Sequence, residues 1–135
     1  MPINVTGTHG KQFSIEVLGV AETFRMLKQK GFDITKGANI GCIQAGALLE
    51  EEIKESIAGH RTEPRSVDTG EFINSVSVKP IKDGQVAVYS DVIQAIFMEY
   101  GTSKGIEPRM HFRNSLARNK DNIIDILRAN TAGKV

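Results

Sequence analysis

Hydrophobic and polar positions alternate with a period of two over residues 12–18. Phe13, Ile15 and Val17 stand between polar neighbours there, which predicts a half-buried strand. The period then lengthens. Val20, Phe24 and Leu27 recur at helical spacing with Arg25, Lys28, Gln29 and Lys30 largely on the other side, and Gly31 stops this short helix. Residues 35–58 carry the longest helical pattern, a stripe of Ile40, Ile43, Ala47, Ile53 and Ile57 widened by Leu48 and Leu49. Such a helix would be about 36 Å long, more than the expected diameter of a small domain. Gly37, Gly41 and Gly46 interrupt it, each costing about 1 kcal/mol relative to alanine in a helix interior. Two readings account for them. Ala38, Gly41, Cys42 and Ala45 form a small-residue face that admits a close neighbour, or the helix starts only near Ile40.

Residues 59–70 have no period and read as a loop. Two strands are predicted next, Phe72–Val78 and Gln85–Tyr89, with Asp83-Gly84 as the hairpin turn and Val76, Val78, Val86 and Val88 sharing the buried face. Residues 91–100 read as a short helix capped by Asp91, with Val92, Ile96 and Tyr100 on one side. Gly101–Arg109 is a loop. From His111 to Ala129 a final helix carries Phe112, Leu116, Ile123 and Leu127 on one face. The clustered strands argue for an α+β fold. The expectation is a small antiparallel sheet, made of the N-terminal strand plus a hairpin, packed against a long helix and a C-terminal helix. It forms a single domain over 1–135, with loose ends at about 1–11 and 130–135.

The length of 135 residues agrees with one domain. Charge adds little: 17 Lys and Arg stand against 16 Asp and Glu, so long-range attraction to nucleic acid or an anionic membrane is not the main theme. No apolar run approaches the ~20 residues of a membrane span. Met1–Gly7 has neither the positive start nor the apolar stretch of a signal peptide, so synthesis in a reducing cytoplasm is expected. The single cysteine, Cys42, reads as a buried inert thiol and excludes an intrachain disulfide.

The sharpest chemical motif is Asp68-Thr69-Gly70, the turn that carries the catalytic carboxylate of aspartic proteases. One copy in a chain of this size fits a homodimeric protease. Such a carboxylate, however, follows an apolar strand, and here polar residues 63–66 lead into it. A turn entering a strand, capped by Thr69, accounts for the motif better. His9, His60 and His111 lack metal-ligand spacing, although Glu107 and His111 lie one helical turn apart. Ser75 and Ser90 have no triad context. Lys104, Arg109, Arg113 and Arg118 against Glu107 make the segment 104–118 locally basic, which suits a solvated face, a protein contact or, third, a small nucleic-acid-binding module. No cofactor, metal site or assembled active site is expected.

Three segments stand in a telling order. Pro64 leads to Val67-Asp68-Thr69-Gly70-Glu71-Phe72-Ile73-Asn74-Ser75-Val76. Gln94-Ala95-Ile96-Phe97-Met98-Glu99-Tyr100-Gly101-Thr102 follows, and then Pro108-Arg109-Met110-His111-Phe112-Arg113-Asn114-Ser115-Leu116. Together they resemble the tail-component family, also called neck or tail-completion proteins, of long-tailed double-stranded-DNA bacteriophages. The resemblance covers about residues 12–127. Departures are Ile73 and Asn74, where the family often has an arginine, Gln94 in place of tyrosine, and Met110 and Asn114 in place of prolines.

The resemblance implies a non-enzymatic virion structural protein acting in head–tail joining or tail completion. Its implied partners are further copies in a ring and neighbouring neck or tail proteins, with non-specific proximity to DNA in the channel and no membrane. Glu99, Tyr100, Gly101, Thr102, Lys104, Gly105, Arg109 and Arg113 are the implied assembly-interface residues. Glu99 and Arg109 are expected to anchor the loop between them by charge pairing. Asp68, Thr69, Gly70, Phe72, Ser75, Pro108, Phe112 and Leu116 are the implied structural set.

Overall fold

The computed structural model describes residues 3–8, 12–17 and 35–131; the helix expected over 20–27 lies outside the described residues. Asp83 and Gly84 reverse the chain between β3 (Ser77–Lys82) and β4 (Gln85–Ser90), with Gly84 at φ 75°. Val78 lies opposite Val88 and Pro80 opposite Val86. Val86 and Val88 are buried and Val78 packs against the core, as the alternation predicts. Proline has no N–H to give a ladder, and β3 is an edge strand, so Pro80 is tolerated there.

The sheet has four antiparallel strands in the order β1-β2-β4-β3. The strand predicted over 12–18 is β2 (Gln12–Val17), and it pairs with β4. Residues 3–8, expected to be loose, form β1 (Ile3–Thr8) against β2. Their backbone groups gain a ladder from β2 that a short polar sequence does not announce.

Helix α1 (Thr35–Ile57) runs unbroken through its glycines. Its buried face is Ala38, Cys42, Ala45, Leu49, Ile53 and Ile57, while Ile40 and Ile43 of the expected stripe point to solvent. Close packing decides this. A Cβ on Gly46 would stand 2.9 Å from Val78 Cγ1, and one on Gly41 3.2 Å from Leu127 Cδ2. The small face therefore lets the hairpin and α4 (His111–Thr131) approach. Phe112, Leu116, Ile123 and Leu127 of α4 are buried as predicted.

Two local predictions are corrected. The expected strand from Phe72 is instead a short helix, α2 (Glu71–Ser75), and extended structure begins only at Ser77. Phe72 and Val76 are buried while Asn74 is exposed. A strand would have placed all three on one face, whereas a helical turn separates Asn74 from the other two. Helix α3 (Ile93–Tyr100) is preceded by Val92, and no side chain caps it, Asp91 included. Ala95 and Glu99 face inward, and Ile93, Phe97 and Tyr100 outward.

Candidate functional site

Three segments far apart in sequence meet at one corner, where α3 turns through residues 101–110 into α4. Glu99, at the end of α3, is only 1% exposed. Its carboxylate accepts the Phe112 N–H at 2.8 Å and the Arg113 N–H at 3.0 Å, so it caps the first turn of α4 from another helix. Arg113 Nε donates to the same carboxylate at 2.8 Å, and its Nη2 to the Glu99 carbonyl. The Arg113 guanidinium lies 4.6 Å from the centre of the Tyr100 ring, which is 44% exposed. The charge pairing expected between Glu99 and Arg109 is therefore corrected: Arg113 holds Glu99. Arg109 reaches the other way, donating from Nη1 to the Arg65 carbonyl at 2.9 Å and to Ser66 Oγ at 2.8 Å. The buried carboxylate must also satisfy backbone donors, and only a group on the first turn of α4 shares that position.

The loop itself has a pinned base and an exposed tip. The Arg109 N–H bonds the Met98 carbonyl at 2.7 Å, Gly101 N–H the Phe97 carbonyl, and Thr102 N–H the Ile106 carbonyl. Ser103, Lys104, Gly105, Ile106 and Glu107 are exposed. Gly101 sits at φ 75° and ψ 179°, and a Cβ there would meet the Ile106 carbonyl oxygen at 2.6 Å and Pro108 Cδ at 2.8 Å. Pro108 thus closes the base over a residue that has to be glycine. Gly101→Ala is expected to cost about 2 kcal/mol, from a backbone region other residues avoid plus this clash. Thermal melting checks it, and an unchanged midpoint would mean the loop base yields freely.

Of the structural set, Phe72, Phe112 and Leu116 are buried. Ser75 Oγ donates to the Phe72 carbonyl at 2.6 Å and shares a 2.5 Å bond with Ser90 Oγ. Thr69 Oγ1 accepts the Glu71 N–H at 3.3 Å and Gly70 turns at φ 85°, so this motif starts α2 rather than a strand. Asp68 is exposed.

A second polar centre lies behind the corner, and sequence reading missed it. Glu63, in the loop after α1, is buried. It accepts two bonds from Arg118, at 2.7 and 2.8 Å, and further bonds from Ser56 Oγ, Thr62 Oγ1 and Asn114 Nδ2. Burial alone would push its carboxyl up, but Arg118 and then the hydroxyl and amide donors outweigh it and hold Glu63 well below the usual carboxylate range. His111 is fully buried, with Nδ1 2.7 Å from Ser56 Oγ and Nε2 2.7 Å from Ser66 Oγ. Burial lowers the His111 pKa to about 4, aided by Arg109 and Arg118 and opposed by Glu63. Only the sequence adjacency of His111 to Phe112, on the buried face of a helix, hinted at its position.

That shift fixes a sign. The unfolded imidazole takes a proton near pH 6.5 and the folded one near 4, so its stabilising contribution is complete above the first value and drains away toward the second. Stability in urea is expected to fall by about 2 kcal/mol between about pH 7.5 and about pH 5, above the main carboxylate range. A flat profile across that window would show that the folded imidazole takes up its proton at the same pH as the unfolded one.

The basic stretch 104–118 is largely engaged within the chain. Arg113 and Arg118 pair with Glu99 and Glu63, Arg109 bonds the loop after α1, and Lys104 stands exposed at the tip. Cys42 is buried, and burial pushes its thiol up to about 11. Among the described residues no group of three or more His, Cys, Asp or Glu is placed to hold a metal ion, and no helix is long and apolar enough to cross a membrane. No known protein-family model, curated protein or solved structure matches the chain.

Proposed function

We propose that this chain is a structural subunit of a tailed-phage or prophage virion, joining head to tail or completing the tail as a member of a ring. The observation that carries the reading is the meeting of the three motifs at one corner. Glu99 of the second motif caps the helix that opens with the third. Arg109 of the third bonds Arg65 and Ser66, which lead into the first. Phe72 of the first packs edge-on to His111 of the third. The residues that the resemblance groups into three motifs are in contact, and together they build a base that presents the tip Ser103–Glu107.

The physical role is recognition by shape. A pinned base lowers the conformational entropy lost when the tip docks, so its affinity is spent on contacts rather than on ordering. Lys104 and Ile106 give that tip one cation and one apolar group, both accessible. The proposed neighbours are sister copies and neck or tail proteins, with assembly in the host cytoplasm.

Native mass spectrometry and light scattering test the reading. A ring oligomer is expected, either alone or with a neck partner. The pair Lys104→Glu and Ile106→Asp is expected to abolish it with the melting midpoint unchanged. A protein that stays monomeric under both conditions counts against the proposal.

A further inference from the structure

The chain Ser66–His111–Ser56–Glu63 fixes every proton along it. Two bonds of 2.7 and 2.8 Å from the Arg118 guanidinium hold Glu63 as a carboxylate, and a carboxylate only accepts, so the Ser56 hydroxyl donates to Glu63 Oε1 at 2.5 Å. A hydroxyl has one proton. Ser56 Oγ must therefore accept from His111, which places the imidazole proton on Nδ1. A neutral imidazole then has a lone pair at Nε2, 2.7 Å from Ser66 Oγ. Ser66 also lies 3.1 Å from the Pro64 carbonyl, but spending its proton there would leave a buried ring nitrogen without a donor. Arg109 Nη1 donates to Ser66 Oγ at 2.8 Å. The serine oxygen thus has a base on one side and a fixed cation on the other.

Access is asymmetric. His111 and Ser56 are fully buried, whereas Ser66 is half-buried and lines an open cavity of about 200 Å³ with Thr69, Gly70, Phe72, Gln94 and Met98. That volume suits a short acyl group. A hydroxyl on a base, the base on an orienting group and a cation beside the oxygen are the parts of covalent acyl transfer.

We propose that Ser66 is an activated nucleophile that accepts short acyl groups from esters, with His111 as its general base. Ser66 Oγ bonds to the ester carbonyl carbon as its proton passes to His111 Nε2. The negative charge that collects on the carbonyl oxygen is offset by Arg109. The bond from carbon to the leaving oxygen then breaks, and that oxygen takes the proton from Nε2. Water, deprotonated in the same way by His111, cleaves the acyl-serine to a carboxylic acid and restores the hydroxyl. Ser56 and Glu63 are positioning residues: they hold the imidazole in the tautomer that leaves Nε2 free.

The test uses the full chain and p-nitrophenyl acetate. The expected result is a burst of p-nitrophenolate and an acetyl group mapped to Ser66 by mass spectrometry. Ser66→Ala leaves His111 Nε2 without its donor and lowers the melting midpoint; assayed well below that midpoint, with its circular dichroism unchanged from wild type, it is expected to abolish both. Ser56→Ala is expected to slow acetylation by at least about tenfold and to move the midpoint of its pH profile, a change that loss of stability alone does not produce. Acetyl groups found only on lysines, no burst, or equal rates for wild type and Ser66→Ala would each overturn the proposal.

Discussion

Glu63→Ala is expected to lower the unfolding free energy by about 4 kcal/mol, the largest effect of any single polar substitution among the described residues. The carboxylate is buried and receives five hydrogen bonds, two of them from Arg118. Its removal strands the Ser56 hydroxyl in a buried site, takes the acceptor from Asn114 Nδ2 and takes the carboxylate from Arg118, which keeps only the Thr62 and Ser115 hydroxyls. Arg118 is 30% exposed, so its guanidinium recovers some hydration, and this keeps the cost below the sum of the separate bonds. For a domain with a total stability of about 5–15 kcal/mol, the loss corresponds to a melting shift of roughly 15 °C. Glu63→Gln keeps the volume and one acceptor, and is expected to fall between the two. Calorimetry on the three proteins checks the order. Equal midpoints for wild type and Glu63→Ala would show that the loop after α1 is not held by this carboxylate.

Glu99→Ala is expected to cost nearly as much, also about 4 kcal/mol, for a different reason. Here the stranded groups are mainly backbone. The Phe112 and Arg113 N–H groups open α4 and have no intrahelical acceptor, and the Phe112 N–H is buried where water does not replace the lost carboxylate. Arg113 also loses its ion pair, though its cation remains against Tyr100. Glu99→Gln retains an oxygen for one N–H but turns an amide donor toward Arg113, so it is expected to cost about half as much. Amide hydrogen exchange distinguishes the mechanism from general destabilisation: protection is expected to fall first in the opening turn of α4. Uniform loss across all helices would argue against a capping role.

The two carboxylates hold different parts of one surface. Glu63 ties the loop after α1 to α4, and Glu99 ties α3 to the same helix one turn earlier. Arg109 links the two loops between them. Every buried side-chain nitrogen and oxygen among the described residues has a hydrogen-bond partner, so this polar centre is complete and costly to disturb at any one member.

Periodicity in the chain by itself determined the α+β class, β2, β4 with its Asp83-Gly84 turn, the presence of one long helix ending near Ile57 and the apolar face of α4. Each of these is a local pattern, because Phe112, Leu116, Ile123 and Leu127 bury themselves at helical spacing whatever packs on them. The small face of α1 was legible as one of two alternatives, and the neighbours chose between them: only the approach of Val78 and Leu127 makes Ala38, Gly41, Cys42 and Ala45 the inner side and sends Ile40 and Ile43 outward.

The three motifs were visible as segments, but their junction was decided in three dimensions. Sequence distance favoured Arg109 as the partner of Glu99. The helix geometry favoured Arg113, since it places that guanidinium and two backbone N–H donors of the first turn of α4 around one buried carboxylate. Likewise nothing local announced that Ser56, Glu63, Ser66 and His111 touch, because a hydrogen bond between residues 55 apart leaves no period in the chain. Hydrophobic spacing is written residue by residue, whereas the desolvation that selects partners for buried polar groups exists only after the elements have packed.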